Sequence, residues 1–163
     1  MRVFSSVILS ILLISCGGEA PPPPQEMTAA ERGQLQAETL GWADQYLEAG
    51  TNLDAMGVAL LFDQADAHFF SGSTYWSNWD AIRVGLEEVY GSWEQWEGEW
   101  ATRRVDVLSP EVAVLTGQIT GLLRFDDGRE FNNQVGLSFV LRKTDAGWKG
   151  LFGHAAASRT LRE

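Results

Sequence analysis

The sequence predicts an α+β fold, with three helices and one early strand in the first half and four long antiparallel strands in the second. Two observations carry this. Apolar residues recur at three- and four-residue intervals as far as Tyr90, then at two-residue intervals from Val112. The first is the period of a half-buried helix and the second that of a half-buried strand. Turn signals separate the second-half segments, and helices segregated from strands mark the α+β class.

The first helix opens at Thr28-Ala29-Ala30-Glu31, which has the capping-box form of a threonine followed three residues later by a glutamate. Leu35, Leu40, Trp42, Ala43, Tyr46 and Leu47 give it one apolar face, and Gly50 supplies a stop. Thr51 or Asn52 is the expected cap of a second, shorter helix through Leu53, Met56, Leu60, Leu61 and Phe62. Ala67-His68-Phe69-Phe70 is an early strand, and Ser71 to Trp76 a loop. Ser77 or Asn78 caps the third helix, whose buried face holds Trp79, Ile82, Leu86, Val89 and Tyr90 before Gly91 stops it. A strand beginning near Gln95 places Trp96, Gly98 and Trp100 on one face and Glu97 and Glu99 on the other. From Val112 to Leu122 the alternation is regular. Phe131, Val135, Leu137, Phe139 and Leu141 share the face of the next strand. Ser109-Pro110-Glu111, Asp126-Asp127-Gly128-Arg129 and Thr144-Asp145-Ala146-Gly147 are the intervening turns, with Asp-Gly suited to positive φ. The last strand runs through Trp148, Gly150, Phe152 and His154.

A chain of 163 residues has room for one domain, and 45% hydrophobic content is enough to build a core. Twelve Lys and Arg against 22 Asp and Glu leave a net charge of -10, which excludes a basic nucleic-acid surface. One cysteine precludes an intrachain disulfide, and two histidines with one cysteine are too few for a zinc site of those ligands. No metal or cofactor is expected. Seven tryptophans are present, five of them between Trp76 and Trp100.

Residues 1–15 read as a targeting segment. Arg2 precedes an apolar run from Val7 to Ile14, shorter than the ~20 residues that span a bilayer. The run ends Leu13-Ile14-Ser15-Cys16, which resembles the lipobox of bacterial lipoproteins. The resemblance implies cleavage before Cys16, lipidation of its thiol and anchoring to a membrane of the bacterial cell envelope. An ordinary secretory signal is the alternative. Gly17, in place of an aspartate, implies sorting to the periplasmic face of the outer membrane in a Gram-negative host. Residues 16–27 carry Pro21-Pro22-Pro23-Pro24 and read as an extended tether, ~3.1 Å per residue. Residues 28–163 are the domain.

Four motifs in that domain resemble the NTF2-like superfamily in its SnoaL-like and DUF4440-like branch. They are Asn52-Leu53-Asp54-Ala55-Met56, Trp79-Asp80-Ala81-Ile82-Arg83, Ser109-Pro110-Glu111-Val112-Ala113-Val114-Leu115-Thr116-Gly117, and the hairpin from Leu141 to Lys149. The resemblance implies three N-terminal helices packed in a strongly curved, mostly antiparallel sheet, a cone with a pocket at its wide end. Relatives include ketosteroid isomerase and polyketide cyclases, which use a carboxylate base near the end of the first strand. Ser71 falls at that position here, and an unactivated serine is a poor base. Leu137, Ser138 and Phe139 stand where a second acid is expected.

The resulting expectation is an envelope lipoprotein whose cone binds a small apolar or aromatic ligand. Trp76, Trp79, Trp96, Trp100 and Tyr75 are the aromatic candidates, and Arg103 is the candidate partner of an anionic group. The enzyme alternative uses His154, with Asp66 or Tyr75, for acid/base chemistry. That alternative requires the face shared by Trp148, Gly150, Phe152 and His154 to line the cone. A third reading is an interaction protein, with a homodimer formed through the outer sheet face.

Overall fold

A computed structural model describes residues 26–163. The targeting segment, Cys16 and nearly all of the tether lie outside the described residues. The element order is α1 (Ala29–Thr51), α2 (Ala55–Leu60), β1 (His68–Ser71), β2 (Thr74–Trp76), α3 (Trp79–Tyr90), β3 (Trp93–Ser109), β4 (Val112–Phe125), β5 (Glu130–Thr144) and β6 (Gly147–Leu161).

Helix starts follow local chemistry. The Thr28 side chain accepts from the Glu31 amide, and Glu31 accepts from the Thr28 amide at 2.8 Å, so two otherwise unpaired donors are satisfied. Asn78 caps α3 by accepting from the Ala81 amide. The cap of α2 is Asp54, not Thr51 or Asn52, because α1 runs on through Thr51 and only then does the chain turn. The expected loop after β1 contains the short strand β2, folded back on β1 about Gly72.

The sheet is curved and mixed, in the order β2-β1-β6-β5-β4-β3. β1 pairs parallel to β6 and every other pairing is antiparallel. The β4–β5 turn closes on Gly128 at φ 84°, a conformation that few residues other than glycine adopt. β3 is an edge strand bonded on one side to β4. Two of its carbonyls, Val105 and Val107, accept from the Gln36 and Arg32 side chains of α1.

Opposite β5 the register of β6 shifts by one residue. Leu141 faces Gly150 while its neighbour Val140 faces Phe152, so Leu151 is extra. A one-residue insertion exchanges the two faces of everything beyond it. Trp148 and Gly150 therefore point inward with Leu141, whereas Gly153, Ala155, Ala157 and Arg159 take the inward positions farther along.

The core lies between the concave face and the helices. Phe139 is fully buried at its centre, with the rings of Trp42 and Tyr46 at 5.1 and 4.9 Å and those of Phe62 and Phe69 close by. Replacing Phe139 with alanine removes the shared contact of all four rings. The expected cost is about 3–5 kcal/mol in urea-induced unfolding. Leu108→Ala, at a position 64% exposed, is expected to stay within about 0.5 kcal/mol of the parent.

Candidate functional site

Beyond Phe139 glycines and alanines are interspersed among the inward residues of the sheet. Successive rows across it are Gly117, Leu137, Ala155 and Ser71, then Ile119, Val135 and Ala157, then Gly121, Asn133 and Arg159. Helices α1 and α3 bridge this widening end without filling it, and a cavity of about 410 Å³ remains. That is within the range of small-molecule sites, about 300–1,000 Å³.

Its walls are aromatic. Phe69 and Trp76 stack at 5.4 Å, and Trp93 and Trp96 line another part of the wall at 6.2 Å from each other. Tyr46 projects from α1, and Tyr90 ends α3 at 5.2 Å from Trp93. Trp76 reaches the wall by lying directly on Gly85 of α3, where any side chain would collide with its indole ring.

Few polar groups meet the cavity. Burial raises the pKa of both Tyr46 and Tyr90, so their phenols stay protonated through the neutral range. Ser71 lines one side. Asn133 lines another, 3% exposed, with neither its amide nitrogen nor its amide oxygen hydrogen-bonded within the protein. Arg159 stands directly across the strand pair from Asn133, which puts the two Cβ atoms about 4.5–5.5 Å apart. Its guanidinium lies 5.7 Å over the rings of Trp93 and Phe125. The residue is exposed at the mouth, and partial desolvation there lowers its pKa. Among the described residues no Asp, Glu, His or Lys lines this cavity, and no cluster of three or more His, Cys, Asp or Glu is placed to hold a metal ion.

The sequence-predicted residues divide. Trp76 and Trp96 line the cavity, and Ser71 does too. Trp79 does not: its indole N–H donates to the Ala59 carbonyl at 2.7 Å, tying α3 to α2. Trp100 lies over Gly117, short of the cavity. Tyr75 is 51% exposed and stacks with Phe70 on the outer face. Arg103 is ion-paired with Asp44 of α1. His154 faces outward beside Arg104, Thr116 and Ser138, because the extra residue at Leu151 reverses the parity on which its inward orientation was expected. Asp66 is also outside, in an ion pair with Arg142.

Asn133, Arg159, Tyr46, Tyr90 and Trp93 are cavity residues that sequence reasoning left out of the site. Asn133 interrupts the apolar series Phe131, Val135, Leu137, and a polar residue at an inward position is a readable signal. Arg159 carries none, since its facing depends on the irregular register of β6.

The Arg142 guanidinium spans Asp63 at 2.8 Å and Asp66 at 3.0 Å. Its hydrogen bond holds the Asp63 carboxyl below its ordinary value of 3.8. A carboxylate with a lowered folded pKa stabilises fully above the unfolded value, and loses that contribution as the pH falls through the folded one. Asp63→Asn is expected to lower stability by about 1 kcal/mol at pH 7. The difference from the parent should vanish well below pH 3.8 in denaturant titrations.

Comparison with known proteins agrees with this architecture. A hexachlorocyclohexane dehydrochlorinase, LinA-type3, from Novosphingobium barchaimii LL02 superposes with a TM-score of 0.72 at 12% identity, covering 83% of this chain and 94% of that one. A ketosteroid isomerase-like protein from Erwinia carotovora atroseptica SCRI1043 gives 0.69 at 18% identity over 75% and 95%. An NTF2-like superfamily protein from Salmonella enterica serovar Typhimurium gives 0.66 at 16% identity over 76% and 91%. At such identities the likeness is one of fold. No curated protein matches the sequence. Residues 41–158, from the middle of α1 almost to the end of β6, match the sequence pattern of the SnoaL-like domain, and the chain belongs to that family within the NTF2-like fold.

Proposed function

We propose that the protein is a lipid-anchored envelope protein that binds a small, largely apolar or aromatic molecule in its cone. The observation that carries the binding half is the cavity itself. It is walled by aromatic rings, is open to solvent, and has no carboxylate, histidine or lysine on its lining among the described residues. A site without a group that titrates near neutrality is suited to holding a ligand and poorly suited to moving its protons. The dehydrochlorinase and isomerase-like neighbours share the fold, and function belongs to the site rather than the scaffold. The acid/base alternative has less support, since His154 and Asp66 are both outside the cavity. The anchoring half rests on the lipobox-like Leu13-Ile14-Ser15-Cys16 and the proline tether behind it.

The test uses an uncharged fluorescent probe, N-phenyl-1-naphthylamine. Energy transfer from Trp93 and Trp96 to the bound probe is expected at a stoichiometry of one. Ala157→Phe projects a ring into the widest part of the cavity and is expected to weaken binding at least ~10-fold. Its unfolding transition should match that of the parent. Absence of energy transfer, or equal binding by the variant, would remove the basis of the proposal.

A further inference from the structure

We infer that the ligand is an organic anion: an apolar body bearing a single carboxylate or sulfonate group, which docks against Arg159 and Asn133 at the wide end of the cavity. The inference rests on the binding reading above and specifies its chemistry.

Three observations lead to it. The first is the unpaired amide of Asn133. A buried amide with neither end bonded loses its hydration without compensation, and native interiors rarely tolerate one. Asn133 faces an open cavity, so its partner is something that enters from solvent: water when the site is free, a polar ligand group when it is filled.

The second is the state of Arg159. Ten ion pairs link the charged side chains of the described residues, and Arg159 takes part in none of them. Glu130, two strand positions before Asn132, is engaged by Arg124 and Arg162 on the outer face. The Arg159 side chain is exposed at the mouth, and its guanidinium lies 5.7 Å from the ring centres of Trp93 and Phe125. A guanidinium set over aromatic rings uses a face for that contact and keeps its N–H edges for a partner in its own plane. Those edges are the part that grips a planar carboxylate with two parallel bonds.

The third is register. Asn133 and Arg159 are direct cross-strand partners on the inward face, and both line the same cavity. Farther along the same face stand Val135, Ala157, Leu137 and Ala155, with the aromatic wall opposite. One end of the cavity thus offers a positive charge and amide donors, and the remainder offers apolar contact. The matching molecule has the same polarity along its length. The chain is strongly acidic overall, which disfavours anions at long range. The anion is therefore selected by contact at this end, with affinity supplied by the apolar body.

A matched pair of probes separates the two readings. 1-Anilinonaphthalene-8-sulfonate and N-phenyl-1-naphthylamine share a ring system and differ by the sulfonate. With the purified full-length chain, the sulfonate is expected to bind at least ~10-fold more tightly. Arg159→Gln is expected to reduce that ratio to about one, and Arg159→Lys to restore part of it. Because the readout is a ratio, any loosening of Trp93 by the substitution cancels. Ala157→Phe should weaken both probes, which ties both to the cavity and not to the exposed aromatic residues Phe70 and Tyr75. If the neutral probe binds and the sulfonate binds no better, or if Arg159→Gln leaves the ratio unchanged, the anion inference is overturned while the binding proposal stands. If neither probe binds, the binding proposal falls and the inference falls with it.

Discussion

The interior of this domain depends on the pairing register between β5 and β6. Up to Gly150 the inward residues of β6 serve the closed end of the cone, where Gly150 lies under Phe62 and Trp148 is buried. One residue later the strand takes an extra step, and the opposite set of side chains turns inward. Without that step Phe152, His154, Ala156 and Ser158 would face the helices. A phenyl ring would then stand where Gly153 now allows Phe69 to lie flat on the sheet. With the step, the inward series is Gly153, Ala155, Ala157 and Arg159: three small residues and then a cation. Space, and a charge at its far end, come from a single irregularity.

The rest of the wall maintains the space that β6 leaves. Protein interiors are close-packed, so an apolar cleft this large persists only where rigid groups hold its sides apart. Here the rigid groups are aromatic. Trp76 is held between Phe69 and Gly85, Trp96 is 7% exposed, and Trp93 lies between Tyr90 and the Arg159 guanidinium. These contacts between rings and the surrounding chain limit inward collapse. Trp79 and Trp42 serve differently. Their indole N–H groups reach the Ala59 and Leu61 carbonyls and tie α3 and α1 to the segment around α2. The tryptophan-rich composition therefore divides between cavity wall and inter-element struts.

The features legible in the sequence were those written in short-range chemistry. The Thr28 and Asn78 caps, the Asp127-Gly128 turn and the change of apolar period each involve a few adjacent residues, and each corresponds to an element boundary in the fold. β2 escaped because three residues within a polar turn have too little alternation to register. The Asp54 cap escaped because α1 continues one residue past the glycine that suggested its end. For the site the division is sharper. Trp76 was recognisable as an aromatic residue near the expected mouth and Trp96 as one on a strand face, whereas Asn133, a polar break in an apolar series, was passed over. The facing of Arg159 and His154 was not legible, because it is determined by which residue of β5 each one meets. That is information about pairing between strands, and it does not reside in either strand alone.

Helix α1 has a role beyond roofing the core. β3 is seventeen residues long and bonded to a neighbour on one side only, which makes it a template on which another chain's strand could assemble. Arg32 and Gln36 occupy the Val107 and Val105 carbonyls, and register shifts near Trp93, Trp100 and Val107 break the regularity that a docking strand would need. The Val105–Val107 end of the edge is thereby occupied. The helix that supplies Tyr46 to the cavity wall thus also competes with strand addition at that end.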